Sequence, residues 1–421
     1  ARAYDVAVPI SSSRADAGAL LPWVVVAAVW LTLAIASGIY FSFPVFFVAL
    51  LEEFAWSRGA TAAAFSISSI VQGALSPVVG MLVDRRGPRR VMLGGACLLG
   101  GACILASRIG SLWSLYLVIG VLAAAGVCAV TWVPSGALLA GWFTERRGSV
   151  LGLAFSGMGA GVLAIGPLAQ WLIAGHGWRA AYLVLGLGSL VALVPLVWLG
   201  VREAPGAEAP GRGAVRGPTP ETASRGGEIG DAMRTRAFWA LFFAYLCTPL
   251  AVFSVVTHQV AFAVDHGFPR LFVAGIFGLT GLLSVVGRIA FGVAADRIGR
   301  TTSATISYGC TATGTLCLLA LEVWPHVAAL YAYALFFGLG FGARGPIITA
   351  MAAQLFPGRR FGVIYGILSV GNGIGGGLAP WYAGAVYDLT GSYRVAFLIA
   401  VGFCVLGSAC FWAARARQGA P

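Results

Sequence analysis

Lysine is absent from all 421 residues, so every fixed positive charge on the chain is an arginine. Charged residues of any kind make up only 10% of the sequence, against about 25% in a soluble domain, while hydrophobic residues reach 59%. That balance excludes an ordinary soluble core and predicts a polytopic membrane protein. The net charge of +12 does not signal a nucleic-acid binder, because the arginines sit in short loops at the ends of apolar runs, which is how membrane proteins set orientation. Disulfides and metal ligation are not expected either. The eight cysteines all lie in apolar stretches and none forms a C-x-x-C pair, so they read as small hydrophobic filler. No nucleophile motif or phosphate loop suggests an enzyme. Gly157-x-Gly159-x-Gly161 lies inside a span with no strand before it, which is helix packing rather than a dinucleotide fingerprint.

What is present is a series of runs long enough to span, at about 20 residues each. They fall near 22–50, 60–83, 91–107, 112–141, 149–174 and 180–200, then near 237–263, 272–295, 303–321, 327–355, 361–386 and 394–414. The expected fold is therefore an all-α polytopic membrane protein of twelve transmembrane helices in two pseudo-symmetric six-helix halves. The expected organisation is a tail over 1–20, a first half over 21–200, a linker over 201–236, a second half over 237–415 and a tail over 416–421. The linker is rich in Gly, Pro, Arg and Glu and reads as solvated chain with one short helix near its end. The tail over 1–20 is polar and mixed and does not resemble a cleavable signal peptide. Of the 27 arginines, 20 fall on the side of the termini and linker and 5 on the other, leaving Arg288 and Arg344 inside spans. Both termini are thus assigned to the cytoplasm.

The halves repeat. Gly80-x-x-x-Asp84-Arg85-x-Gly87 matches Gly292-x-x-x-Asp296-Arg297-x-Gly299 position for position at a constant offset. Phe143-x-x-Arg146-Arg147 matches Phe356-x-x-Arg359-Arg360, and Trp56-Ser57-Arg58 answers Phe268-Pro269-Arg270. In such repeats the substrate site lies near the midplane, between the halves.

The loop Gly80–Arg90 with its echo at Gly292–Arg300 resembles the major facilitator superfamily along essentially the whole chain. Glu53-Phe54-Ala55-Trp56-Ser57-Arg58, Trp142-Phe143-Thr144-Glu145-Arg146-Arg147-Gly148 and Ser156–Gly161 are similar to its monocarboxylate-transporter-like branch, which includes oxalate:formate antiporters. The resemblance implies that the span-eight arginine, here Arg288, binds a substrate carboxylate. It also implies that Gly80, Asp84, Arg85, Gly87 and Arg90, with Gly292, Asp296, Arg297 and Arg300, form cytoplasmic charge clusters that latch an outward-open state. Where animal members carry an aspartate one turn before the arginine, this chain has Ser284. The span-one lysine of those members and the span-eleven lysine of oxalate exchangers have no counterpart here.

The residues themselves point the same way. All fifteen acids fall in tails, loops or span ends, so the membrane core holds two arginines and no carboxylate. A charge at bilayer depth costs about 2.5–3.5 kcal/mol on insertion scales and usually faces a partner or a wet cavity. Guanidinium stays protonated and its planar fork matches a carboxylate. An organic anion fits this core; a cationic drug or a sugar–proton symport would want a buried acid. Arg288 lies about five residues, ~8 Å, past its span midpoint, where capping of helix carbonyls is the bland alternative. Arg344, in Gly342-Ala343-Arg344-Gly345-Pro346, suggests a broken helix whose freed backbone lines a cavity, with a clamp on loosened carbonyls as the bland one. If both face one cavity, a dicarboxylate becomes attractive. His258 could gate or carry a proton, or be a satisfied polar residue. Asn372 could bond a substrate oxygen or act as polar glue. Tyr331, Tyr365 and Tyr40 are weaker binding candidates, with Gln72 and Trp132 beside them.

The expectation is a secondary active transporter of small monocarboxylates such as lactate or pyruvate, working by alternating access in the inner (plasma) membrane and coupled to protons. An anion exchanger for oxalate or a dicarboxylate is the alternative. A non-transporting membrane carboxylate sensor is the alternative of another class, though 201–236 is too short for a signalling domain. No cofactor is expected. The expected partners are the carboxylate, a proton or counter-anion and the bilayer, with a monomer as the superfamily's usual state.

Overall fold

Apolar runs of this length can satisfy their backbone in lipid only as helices or a closed barrel. The computed structural model describes residues 13–143, 147–203, 229–356 and 361–415, and they are helical almost throughout. In chain order they form α1 (Ser13–Phe41), α2 (Phe43–Phe54), α3 (Arg58–Arg86), α4 (Pro88–Ala106) and α5 (Leu112–Leu115). A π-helical stretch, Tyr116–Ala123, leads into α6 (Ala124–Val130), α7 (Trp132–Trp142) and α8 (Arg147–Gly200). The second half runs from α9 (Ile229–Arg234) and α10 (Arg236–Asp265) through α11 (Arg270–Ile298), α12 (Arg300–Leu319), α13 (Val327–Gly340) and α14 (Arg344–Leu355) to α15 (Phe361–Thr390) and α16 (Arg394–Arg415).

Ten stretches among the described residues are long and apolar enough to cross a membrane. One of them, Val150–Gly200, is 51 residues long and turns at Gly177 (φ 81°, ψ 163°), so it makes two crossings. The glycine-rich α15, with 30 residues, brings the number to twelve. α1 starts at Ser13, inside the tail expected over 1–20, because Ser13, Arg14 and Asp16 continue the helix beyond the apolar run. α9 stands where a short linker helix was expected; residues 204–228, 357–360 and 416–421, with Arg146, Arg359 and Arg360, lie outside the described residues.

The motif glycines have a local reason. Gly87 (φ 81°) and Gly299 (φ 88°) turn the chain between α3 and α4 and between α11 and α12 with a backbone that other residues adopt at a cost. They give the two repeat loops the same turn. These loops mark what we term the basic face of the bundle.

Within the first half, α8 packs on α1 and α4; within the second, α10 packs on α15 and α16, and α12 on α13 and α16. Across the halves, α3 meets α15, α8 meets α11 and α2 meets α10. Small residues set these approaches. A Cβ on Gly161 would fall 1.8 Å from the Ala34 carbonyl oxygen of α1, and one on Gly159 would fall 2.5 Å from the Gly281 carbonyl oxygen of α11. A Cβ on Gly384 would come 2.6 Å from the Gly59 nitrogen. The contacts between halves lie away from the basic face. On α3 the contacts with α15 fall at Gly59, Ser66 and Ser69, all in the part of the helix farthest from Gly87. The halves therefore close on the opposite face and part toward the basic one.

Charge pairs hold the closed face. Asp388 of α15 accepts hydrogen bonds from the backbone N–H of Arg58 and of Gly59, both at 2.8 Å, so it caps the start of α3 from the other half. The Arg58 guanidinium is 2.7 Å from Asp265, donates to the Tyr393 hydroxyl at 2.9 Å and lies 3.9 Å over the Tyr387 ring. Arg270 pairs with Glu52 across the same seam. Among the described residues the charge clusters expected on the basic face are not formed. Asp84 and Asp296 are exposed and make no salt bridge with a described residue, and neither do Arg85, Arg90 and Arg297. Arg300 instead donates to the Ala350 carbonyl at 2.8 Å and to Gln354 at 2.6 Å. The reason is geometric: clusters of that kind close when the halves meet on the basic face, and here they part.

This packing can be tested at two points. Gly161→Ala should lower stability by about 1–3 kcal/mol through overpacking, seen as a lower unfolding midpoint in detergent, whereas Gly73→Ala, where a Cβ would meet nothing within 4 Å, should leave it unchanged. Arg58→Ala should raise thiol labelling at a cysteine placed at Ser66, beneath the closed seam, by roughly tenfold or more, as expected for losing a charge-assisted bond of about 1.5–3 kcal/mol. An unchanged labelling rate would mean these pairs do not hold the face shut.

Candidate functional site

Two membrane crossings are interrupted at matching places. The fourth breaks at Thr131 (φ −96°, ψ −112°) before α7, and the tenth breaks over Phe341-Gly342-Ala343 before α14, with Gly342 at φ 84°. Each restarted helix carries proline as its third residue, Pro134 and Pro346, related by the same offset as the two repeat loops. Proline is tolerated there because first-turn N–H groups have no intrahelical acceptor. By that offset, Trp132 in the first half occupies the place of Arg344 in the second.

Arg288 is brought to the second of these breaks. Its neighbour Gly287 lets α11 close on α13, for a Cβ there would lie 2.0 Å from the Leu339 carbonyl oxygen. Arg288 Nη2 in turn stands 2.9 Å from where a Cβ on Gly342 would be, so any side chain at 342 would strike the guanidinium. From the other half comes Trp132, about half exposed, with the Arg288 guanidinium 5.9 Å over its ring. Phe155 supports that ring at a centroid distance of 4.8 Å. Arg288 thus belongs to the second half by sequence and faces the first half in space. Its Nε is buried and has no hydrogen-bond partner. Ser284, one turn earlier, turns back to the Gly281 carbonyl at 2.7 Å. The salt bridges among the described residues all involve acids at loops or helix ends: Asp265, Glu53, Glu52 and Glu322. None of them meets Arg288.

Arg344 does not join it on the open side. Its side chain is fully buried, with Nη1 donating to Thr311 Oγ1 at 3.1 Å and the guanidinium 4.4 Å over the Tyr308 ring. Tyr308 is itself tied to the Ala244 carbonyl at 3.1 Å and to Thr248 at 2.8 Å. The two arginines therefore do not share one open cavity: the break separates them, sending one between the halves and the other into the second half's interior. The clamp on loosened carbonyls is not what Arg344 makes either, since its hydrogen bond is to a hydroxyl.

Of the weaker candidates, Tyr365 lies in a hydroxyl cluster, 3.1 Å from the Tyr245 oxygen and 2.8 Å from Thr349 Oγ1. Asn372, the only asparagine in the chain, is half-buried two turns further along α15, on nearly the same side. Tyr40 accepts from Ser68 at 3.0 Å and stacks on Phe65 at 4.9 Å, and Gln72 reaches the same Ser68 at 3.4 Å. Tyr331 is not brought to the group. It is half exposed near the start of α13, beside Phe272, at the far end of that helix from the break.

His258 is wholly buried, with Nε2 at 2.8 Å from the Pro380 carbonyl and Nδ1 at 3.0 Å from the Tyr393 hydroxyl. A carbonyl only accepts, so Nε2 carries the proton. Tyr393 already accepts from Arg58, so its own proton goes to Nδ1. The histidine is thereby wired into the closed face, with the Phe47 ring edge-on at 5.2 Å. The sequence reading did not find this network of Arg58, Asp265, Asp388 and Tyr393, nor the cage of Tyr308 and Thr311. Asp388 and Tyr393 stand 330 and 335 positions from Arg58, and only the repeat of Trp56-Ser57-Arg58 in Phe268-Pro269-Arg270 hinted that the loop mattered.

Known proteins agree with the architecture. The sequence model of the Major Facilitator Superfamily matches residues 29–343 and 292–421. Monocarboxylate transporter 13 of Bos taurus is 30% identical over 391 residues, covering 92% of this chain and 87% of that protein. Monocarboxylate transporter 11 of Homo sapiens is 28% identical over 417 residues, with 92% and 81% covered. Among solved structures, a bacterial homolog of the human lysosomal transporter Spinster, described as inward-facing and unoccupied, superposes with a TM-score of 0.73 at 14% identity, covering 94% of this chain and 97% of that one. That likeness bears on the fold alone. A helical bundle of two repeated halves, the superfamily match along most of its length and relatives similar over nine-tenths of it lead to one statement: the chain belongs to the major facilitator superfamily, as a transporter that resembles the monocarboxylate transporters.

Proposed function

We propose that this transporter carries small monocarboxylates, such as lactate or pyruvate, and that Arg288 binds the carboxylate between the halves. The observation that supports it most is the placement of Arg288. It is a permanent cation with an unpartnered Nε, no carboxylate among its contacts, and an indole from the opposite half beneath it. A carboxylate there would gain a charge-assisted fork and would tie the two halves together through one ligand.

In this reading the basic face is cytoplasmic, as the arginine bias requires, and the conformation is open to the cytoplasm in a plasma or inner membrane. The halves, 21–200 and 237–415, rock about the small-residue contacts of α3 with α15 and α8 with α11, as a monomer. Reclosure on the basic face would let Asp84, Arg85, Arg90, Asp296 and Arg297 form their clusters. His258 serves as a gate residue: it links Arg58, through Tyr393, to the backbone of α15 at Pro380. Both ring nitrogens are engaged, so proton coupling falls to the substrate's own proton. Anion exchange is the second reading, favoured by the same lone Arg288, since an emptied positive site resists crossing the membrane's interior. The burial of Arg344 removes the second cation that a dicarboxylate would use.

The test is uptake by the purified protein in liposomes, with labelled lactate, oxalate and a four-carbon dicarboxylate. Lactate uptake driven by an inward proton gradient and indifferent to an internal anion is the expected result; uptake only with a counter-anion would establish exchange. Arg288→Ala should lower lactate transport by roughly 10- to 100-fold, the equivalent of one or two charge-assisted bonds. Arg288→Lys should recover little, because it keeps the charge and loses the fork. Normal carboxylate uptake by Arg288→Ala would sink the assignment.

A further inference from the structure

The interior of the second half has more hydrogen-bond donors than acceptors at one point. Arg344 is 0% exposed, and two of its three guanidinium nitrogens, Nε and Nη2, have no hydrogen-bond partner. Those two form the side of the guanidinium that takes an anion in two parallel bonds; the third, Nη1, is spent on Thr311. The same residue opens α14, a helix of 12 residues that begins without a side-chain cap, so the positive end of a helix dipole adds to the fixed charge. The guanidinium cannot shed its proton. A buried cation left without compensation is strongly unfavourable, and the side chains it touches, Thr311 and Tyr308, carry no charge.

From this geometry we infer that the Arg344 fork at the α13–α14 break is a binding site for a small inorganic anion of the chloride type, separate from the carboxylate site at Arg288. Tyr308, Ala343, Ile347 and Ile348 are each 3% exposed or less, so a ligand of the fork is enclosed, which favours a single small ion over an organic acid. The bound ion neutralises the core of the second half and steadies the break against which Arg288 rests at Gly342.

The experiment is thermal unfolding of the full-length protein in detergent, titrating chloride against methanesulfonate at constant ionic strength and pH. The unfolding midpoint should climb by a few degrees with the logarithm of chloride, as for any ligand that binds only the folded state. Arg344→Met should flatten that response, while Arg288→Met should keep it. A midpoint in the natural protein that ignores chloride, a response that survives Arg344→Met, or one lost only with Arg288→Met would each overturn the site. Should Arg344→Met not fold, crystals of the natural protein grown in bromide decide: an anomalous peak within hydrogen-bond reach of Arg344 Nε supports the site and its absence refutes it. Neither measurement depends on lactate being the cargo, so failure here leaves the carboxylate reading standing, and the reverse.

Discussion

A guanidinium inside a membrane cannot be neutralised by giving up its proton, and much of this structure is arranged around that constraint. Arg288 needs somewhere to stand in which its charge is useful. Gly287 lets its helix close on α13, Gly342 leaves space for its nitrogen, and the broken tenth crossing supplies backbone beside it. Trp132 supplies a π face from the opposite half at the matching break of the fourth crossing. Cation and indole are thus presented by the two repeats at one level, with neither repeat able to make the site alone.

The second organising feature is the closed seam on the other face. It is built from charges that answer one another across the halves, Arg58 with Asp265, Asp388 with the start of α3, and Arg270 with Glu52. Beneath them His258, Tyr393 and Phe47 join the polar seam to the apolar plug. The seam is thus joined to the buried apolar cluster beneath it, to which both halves contribute, by hydrogen bonds as well as by packing. Among the described residues the basic face shows no such salt bridge between the halves.

Much of this was legible in the sequence because membranes leave few choices. Span lengths, the six-plus-six count and the in-register repeat of the halves follow from apolar runs and glycine-bearing loops, and the break in the tenth crossing was visible in Gly342 and Pro346. The isolation of Arg288 was legible for a similar reason, since a chain whose acids all sit at span ends has none to offer it. What stayed hidden was direction. Nothing in the run Gly342–Pro346 tells which way Arg344 turns, because that depends on Thr311 and Tyr308 one crossing earlier. Tyr331, a weaker binding candidate on sequence, lies beside Phe272 at the end of α13 away from the break. The seam stayed hidden because its partners come from different halves of the chain, more than 200 positions apart.

The capping of α3 has a consequence for how the closed face can open. Four backbone amides begin that helix. Ala60 and Thr61 are satisfied by Ser57, within the same half, whereas Arg58 and Gly59 are satisfied by Asp388 of the other. When the halves separate there, two amides lose their carboxylate at once and must find solvent. Because Asp388 is itself exposed, solvent is at hand to take its place, so separation there would trade two carboxylate-capped amides for two solvated ones rather than leave a helix end bare.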